Sequence, residues 1–561
     1  MNHKVYWSKD YMVSALGQGT ELSMQRLKDG NIGLIKEIIN DEIRYTGHID
    51  WSVIPQPKHL SHLEALFVHC ISQIIERQTI TSRTALIIST TKGNIDLLEN
   101  AANESNATNI IKKEPNLSLS KMAKNIAIEC GFTTEPIVIS NACISGISAI
   151  VVASRLLRQG IYDKIVIAGG DLFSNFVYTG FNSFKSLSSE VCRSYDEKRD
   201  GLSLGEACGV ILLSNNEKDS CGIEVLSGAI TNDANHISGP SRTGDGLHFA
   251  IKQVLESCNV KPAELDFISA HGTATVFNDE MESKAINLSN LLSTPINSTK
   301  AFTGHTLGAC GVIESIFAIH QLKNNLIIGT YNFQTLGTTQ QINVKSTNIK
   351  SNNSCCLKIA SGFGGCNAAV LFAKTTFANN HPVIHNTTKN SSLKTLNTVK
   401  IEQNSNQNFD EYIRTLYRES CSTNMKFFKM DNLSKLGYVA AEKLLNNIEL
   451  PENRTRIAII LSNQSASLDT DYRHQKLINS KEEISPSVFV YTLPNIVSGE
   501  ICIRHKLNGE NTFFIQELDN VFARNYATLL LQESLADIVI FGTCELLGEK
   551  YFADFELLTL N

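Results

Sequence analysis

Up to about Lys374 the chain alternates short β-branched runs with longer stretches whose apolar residues recur at helical spacing. TALIIST (84–90), PIVIS (136–140), KIVIAGG (164–170) and GVILLS (209–214) are apolar runs of strand length, the pattern of strands buried on both faces. KMAKNIAIEC (121–130) and ISAIVVASRLLRQG (147–160) predict helices, so the front of the chain reads as α/β with both sheet faces covered. The pattern then fails. Residues 375–424, centred on NNHPVIHNTTKNSSLKTLNTVKIEQNSNQN, are rich in Asn, Thr and Ser and predict a polar linker.

From about Met425 to Asn561 the alternation resumes, and it repeats the front of the chain. RIAIILSNQSASLDTD (456–471) matches TALIISTTKGNIDLLE (84–99), ICIRHKLNGEN (501–511) echoes IAIECGFTTEP (126–136), and ATLLLQESLADIVIFG (527–542) echoes ASRLLRQGIYDKIVIAGG (153–170). The three matches keep their order at nearly one offset, which predicts a partial copy of the first unit. Composition narrows this picture little. The 561 residues suggest about three to four domain-sized units at about 150 residues each. A net charge of −6 gives no global basic field for nucleic acid. Fourteen Cys without paired short spacings, behind a start lacking a cleavable signal, predict free thiols in a reducing cytoplasm. No apolar run approaches the ~18 residues of a membrane helix.

Four segments carry candidate chemistry. In PIVISNACISGISAIVVASRLL, Cys143 sits between a strand and a long apolar helix, where the macrodipole and free N–H groups favour thiolate; an inert buried cysteine is the plainer alternative. In HGTATVFNDEMESKAI, His271 follows the strand LDFISA, a place for a catalytic or a structural histidine. In NSTKAFTGHTLGACGVIESIFAIHQL, Lys300 and His305 flank a glycine turn and Glu314 follows on an apolar helix. In ASGFGGCNAAVLFAK, Gly362, Gly364 and Gly365 permit close backbone approach. Each alone has an unremarkable structural explanation.

Together, in this order and spacing, they resemble the β-ketoacyl synthases of the elongating acyl-carrier-protein type, within the thiolase-like superfamily. The resemblance spans about Lys4 to Lys374, with YMVSALGQGTELSMQRLKDGNIGL, CRSYDEKRDGLSLGEACGVILLS and IVIAGGD in support. It implies a thiolase-like fold over residues 1–374: two pseudo-duplicated five-stranded mixed sheets in an α-β-α-β-α stack, followed by an additional α/β half-domain over 425–561. It implies Cys143 as acyl-accepting nucleophile, His271 and His305 as paired active-site histidines, Lys300 as active-site lysine, Glu314 as its support and Phe363 as the pocket gate. The implied reaction is a decarboxylative condensation with a malonyl thioester on an acyl carrier protein, needing no metal or other cofactor. Lys185, with help from Arg193, Lys121 or Lys124, is the implied carrier-docking position, and a homodimer or ketosynthase-like heteromer the implied assembly. The chain departs from the family pattern at Val276, Ser361, Cys366 and the first strand, Trp7 to Tyr11. In the C-terminal copy the position equivalent to Cys143 falls within Gln516–Asp519, which holds no cysteine, so that unit is expected to be inactive. Two alternatives stand beside this reading: a non-catalytic partner resembling a chain length factor, and a thiolase using Cys366 as second cysteine.

Overall fold

A computed structural model describes residues 3–101, 107–384, 391–404, 406–420, 423–518 and 521–561. Its framework is one five-stranded motif used three times. The first sheet has the order β3-β2-β4-β5-β1, built from β1 (Tyr6–Ser14), β2 (Thr84–Ser89), β3 (Ile137–Ile139), β4 (Lys164–Asp171) and β5 (Ala207–Ser214). Strands β3, β2 and β4 are parallel, and β5 and β1 add antiparallel. The second sheet, β8-β7-β9-β10-β6, repeats order and directions with β6 (Ile223–Asn232), β7 (Phe267–Ser269), β8 (Pro295–Asn297), β9 (Cys355–Gly362) and β10 (Cys366–Lys374). Pairing of Tyr6 with Glu224 and Trp7 with Ile223 joins the two sheets at β1 and β6.

The helices that bear on the site are α1 (Ser145–Arg158), α2 (Asn175–Ser183), α3 (Val276–Leu288), α4 (Cys310–Lys323), α5 (Leu468–Ser480), α6 (Pro486–Tyr491), α7 (Ile496–His505) and α8 (Val521–Gln532). Helices α1 and α4 are buried along almost their whole length and form the middle layer. They touch backbone to backbone because Gly146 and Gly311 face each other: a Cβ on Gly146 would lie 2.7 Å from Val312 N, and one on Gly311 2.6 Å from Ile147 N.

The C-terminal copy forms the third sheet, β13-β12-β14-β15-β11, from β11 (Leu393–Glu402), β12 (Ile457–Asn463), β13 (Asn511–Ile515), β14 (Ile538–Leu547) and β15 (Lys550–Leu560). Residues 375–424 are therefore not linker throughout. Strand β11 and the helix Phe409–Glu419 lie inside that stretch. Because β11 is an edge strand, mostly exposed or half-exposed along its length, it carries no buried stripe to reveal it. Residues 385–390 and Cys421 fall outside the described segments.

Strand β13 pairs antiparallel with β3, Phe514 opposite Ile139 and Ile515 opposite Val138. The outer edge of β3 is thus occupied by a strand of the same chain. The junction is a single apolar core with buried ion pairs through it. Arg155 Nη1 lies 2.8 and 2.6 Å from the Glu510 carboxylate, and the Tyr526 hydroxyl donates to Glu510 at 2.7 Å. Lys92 Nζ lies 2.9 Å from Asp471 Oδ1. Among the described residues no helix is long and apolar enough to cross a membrane.

Candidate active site

Between β3 and α1 the chain makes a tight turn, Ala142–Ile144, with Ala142 at φ 47°, in the left-handed region. Local bonds hold it there: Asn141 N donates to Ser145 Oγ (2.8 Å), whose hydroxyl donates to Ala142 O (2.6 Å). The Asn141 amide clasps β13, donating to Asn511 O (3.0 Å) and accepting from Phe513 N (2.8 Å). Cys143, 8% exposed, therefore sits at the floor of a cavity of about 340 Å³, on a turn supported by the C-terminal half.

His305 comes from the turn before α4 and is anchored through its backbone to Ser203 O (2.7 Å). Its Nε2 lies 3.1 Å from Cys143 Sγ. His271 ends its strand with N–H donated to Glu282 Oε1 at 2.8 Å, and its ring centroid is 5.3 Å from that of His305 at an interplanar angle of 84°. Lys300 Nζ lies 3.2 Å from His271 Nδ1 and is paired with Glu314. An ammonium donating to Nδ1 leaves the proton of a neutral His271 on Nε2. The thiol sulfur and one nitrogen of each histidine lie within 4.8 Å of one another, so the three groups converge on one point of the cavity.

The electrostatics correct one expectation. Burial pushes the Cys143 thiol up to about 12, against the pull of Lys300, so the helix start does not leave a standing thiolate. Burial, then Lys300 and Lys358, hold His305 well below the ordinary histidine value; His271 is lowered in the same way, with His305 adding to the effect. Burial opposes the charge on Lys300, but Glu314 overcomes it and raises that group. The site thus rests as thiol, two neutral imidazoles and an ammonium–carboxylate pair. The acidic limb of kcat is expected below pH 6.5, because both histidines stay unprotonated through the range where a free histidine titrates. A pH–rate profile with its limb at or above 6.5 would contradict this. The same depression makes the fold lose stability as pH falls below about 6.5, where the unfolded chain binds protons that the native site refuses.

The glycine turn after β9 closes the cavity. A Cβ on Gly362 would lie 3.1 Å from Cys143 N, so the glycine keeps that N–H accessible. Gly364 and Gly365 have φ 89° and 71°. Phe363 stacks on Phe184 (5.6 Å) and Phe181 (6.0 Å), and its carbonyl accepts from Asn495 Nδ2 of the C-terminal half (2.9 Å). The departures from the family pattern fall into place around it. Val276 is the first residue of α3, Ser361 Oγ donates to Asn367 Oδ1 (2.7 Å), and Cys366 Sγ donates to Phe363 O (3.2 Å). Cys366 is fully buried and does not line the cavity that Cys143 faces.

Lys185 is exposed just past Phe184 on the cavity rim. Arg193 is paired with Glu190 at 2.6 Å, and Lys124 with Glu135 and Glu517 at 2.9 and 2.8 Å beside the β3–β13 junction. Sequence reasoning missed Asn141, Asn495 and Lys358. Asn141 and Asn495 look like ordinary polar loop residues. Lys358 had a signal: a single charge inside the apolar strand CCLKIA.

In the C-terminal copy the described residues after β13 are Gln516, Glu517 and Leu518, none of them a cysteine; Asp519 lies outside the described residues. Cys502 is buried in α7 and Cys544 in β14.

A buried thiol at a strand–helix turn, two facing imidazoles and a duplicated mixed sheet are the features to compare with known proteins. Models of the β-ketoacyl synthase N-terminal and C-terminal domains match residues 58–219 and 223–334. A putative mitochondrial 3-oxoacyl-[acyl-carrier-protein] synthase of Schizosaccharomyces pombe is 29% identical over 52% of this chain and 74% of its own. The 3-oxoacyl-[acyl-carrier-protein] synthase 2 of Vibrio harveyi is 26% identical over 65% of this chain and 96% of its own. Among solved structures, a ketosynthase in complex with its chain length factor from Xenorhabdus doucetiae is 25% identical, covering 66% of this chain and 98% of its own at TM-score 0.60. The keto synthase–chain length factor PfaC, 14% identical, covers 100% of this chain and 78% of its own at TM-score 0.80, a likeness of fold. The chain belongs to the β-ketoacyl synthase family, of the thiolase-like superfamily.

Proposed function

We propose that residues 1–374 condense an acyl group held on Cys143 with a malonyl thioester delivered by an acyl carrier protein, releasing carbon dioxide and a β-ketoacyl thioester. The observation that carries this reading is the contact of Cys143 Sγ with His305 Nε2, with His271 facing the same cavity. In the first half-reaction the thiol attacks the incoming thioester as its proton passes to His305, because a thiol raised to about 12 does not ionise beforehand. The N–H groups of Cys143 and Phe363 are the proposed donors to the oxyanion, and the carrier thiol leaves with a proton. In the second, malonyl loses carbon dioxide while the Nε2–H of neutral His271 stabilises the enolate oxygen; the carbanion attacks the acyl carbonyl, the carbon–sulfur bond breaks, and the Cys143 thiolate takes up a proton from solvent through His305. The phosphopantetheine arm would enter past Thr273 and Thr275, and exposed Phe277, on the cavity wall, with Lys185 on the carrier side. Intact mass after incubation with acyl-carrier thioesters, then with malonyl carrier, tests it. An adduct discharged as product is the expected result, and no adduct from any donor refutes the reading.

The C-terminal half serves as an internal, non-condensing partner that completes the acyl pocket, in keeping with the ketosynthase–chain length factor pairs among its structural neighbours. A second small cavity, about 20 Å³, continues behind Cys143 between Val177 and Leu307 on one side and Phe489 and Leu493 of the C-terminal half on the other. Phe489 presses on α2 at Gly180, where a Cβ would lie 2.2 Å from its ring. Phe489→Ala is expected to admit chains longer by two or more methylenes, raising kcat/KM for such primers about tenfold at ~0.8 kcal/mol per buried methylene. Unchanged primer preference in competition assays would show that Phe489 does not close the pocket. A reducing compartment such as the cytoplasm suits the described cysteines, all free, while the fission-yeast relative is named as mitochondrial.

A further inference from the structure

Beneath His271, on the side away from the cavity, lies a second buried lysine that the proposed chemistry does not use. Lys358 Nζ sits in a cage of oxygens: Ser269 O at 3.2 Å, Ala270 O at 3.0 Å, Ile359 O at 2.8 Å and Glu314 Oε2 at 2.7 Å. The side chain is 0% exposed. Two of these carbonyls belong to the residues immediately before His271, and the carboxylate is the one whose other oxygen pairs with Lys300. A buried ammonium is tolerated only when its protons find acceptors and its charge a counterion, and this cage supplies both.

We infer that Lys358 is a built-in cation that positions the histidine pair, tying the end of the β7 strand and the Glu314 carboxylate to one point so that Lys300 meets His271 at Nδ1. It is a positioning residue and touches no substrate. Its charge also matters. From β9 comes Lys358, from α4 and the turns before it Lys300, His305, Cys310 and Glu314, from α3 Glu282 and Asp279, from the β3–α1 turn Cys143, and beside Glu282 the hydroxyl of Tyr195 (3.0 Å). Within the lysine–glutamate–lysine row two positive charges flank one negative, leaving a surplus of one positive charge under the imidazoles. That surplus disfavours imidazolium, in line with the contribution of Lys358 to both depressed histidines.

This inference rests on His271 acting in the malonyl half-reaction, so its test measures the two half-reactions separately in the full chain. In Lys358→Ala, malonyl-carrier decarboxylation is expected to fall by about 10- to 100-fold, while Cys143 acylation, read by intact mass, changes by less than about threefold. The acidic limb of the decarboxylation profile is expected to move to higher pH. Ammonium or methylammonium at 0.1 M order of magnitude, which fits the emptied cage, restores a substantial part of the rate, whereas Lys358→Met, which fills the cage without charge, is not rescued. The double variant Lys358→Met/Glu314→Gln restores the surplus charge and with it the wild-type position of the limb; it also decides the case if Lys358→Ala does not fold. Wild-type decarboxylation with an unmoved limb in either single variant, or an unmoved limb between Lys358→Met and the double variant, overturns the inference. Absence of decarboxylation in the wild type itself would instead refute the proposed function.

Discussion

Replacing Cys143 by alanine is expected to abolish condensation, with a fall in kcat on the order of 10⁴-fold or more, and to remove every acyl adduct from the intact-mass spectrum. No other described cysteine is placed to substitute. Cys310 donates its thiol to Cys143 O at 3.2 Å and is raised well above its ordinary value by burial; Cys366 is buried behind the glycine turn and raised in the same way. Neither has an imidazole nitrogen at hydrogen-bond distance, as Cys143 has in His305. His271→Ala should separate the half-reactions, leaving acylation and stopping decarboxylation. A Cys143→Ala protein that still carries a thioester-linked acyl group would place the nucleophile elsewhere.

Breaking the Arg155–Glu510 pair is expected to have the largest effect on stability, although neither residue touches the cavity. Both side chains are 8% exposed, and Arg155→Met leaves the Glu510 carboxylate buried beside Tyr526 without its counterion, a loss of about 3–5 kcal/mol. The consequence should reach Cys143. The β13 strand that follows Glu510 is the one Asn141 clasps, and Asn495 of the same half holds the Phe363 carbonyl. Denaturation followed by proteolysis should therefore show the C-terminal half loosening first, with acylation lost in parallel. The double variant Arg155→Met/Glu510→Met, which removes both charges, should recover most of the stability. If Arg155→Met melts within 1 °C of the wild type, the two halves are held by apolar burial alone; about 1 kcal/mol already corresponds to a few degrees for a domain.

How far the site could be read in advance depended on what each residue type must do alone. Cys143, His271, Lys300 and His305 follow strand ends or glycine turns, and those local settings are visible in one dimension. Lys358 was not legible in that way. The lone charge in CCLKIA marks the position, but its partner Glu314, on a separate helix and 2.7 Å away, is seen only in the fold. The standing thiolate expected at the start of α1 fails for a related reason. A helix N-terminus is a local property, but the burial that holds Cys143 as a thiol is not: its neighbours include Leu307, Phe363, Phe489 and Leu493, all distant in the chain.

The strands followed a similar division. Those of β2, β4 and β5 are buried on both faces and announce themselves as apolar runs, whereas β11, exposed at a sheet edge, hid inside a polar stretch. The repeat of the front unit was legible in the sequence because it rests on local periodicity, and Cys143, His271 and His305 were marked by short motifs that resemble those of a known family. Only the tertiary structure decided where the copy goes. Its β13 closes the edge of β3, its Phe489 and Leu493 wall the space behind Cys143, and its Asn495 holds the Phe363 carbonyl. The physical reason is that edge pairing, cavity shape and desolvation are sums over contacts between residues hundreds of positions apart, and no window along the chain contains both partners.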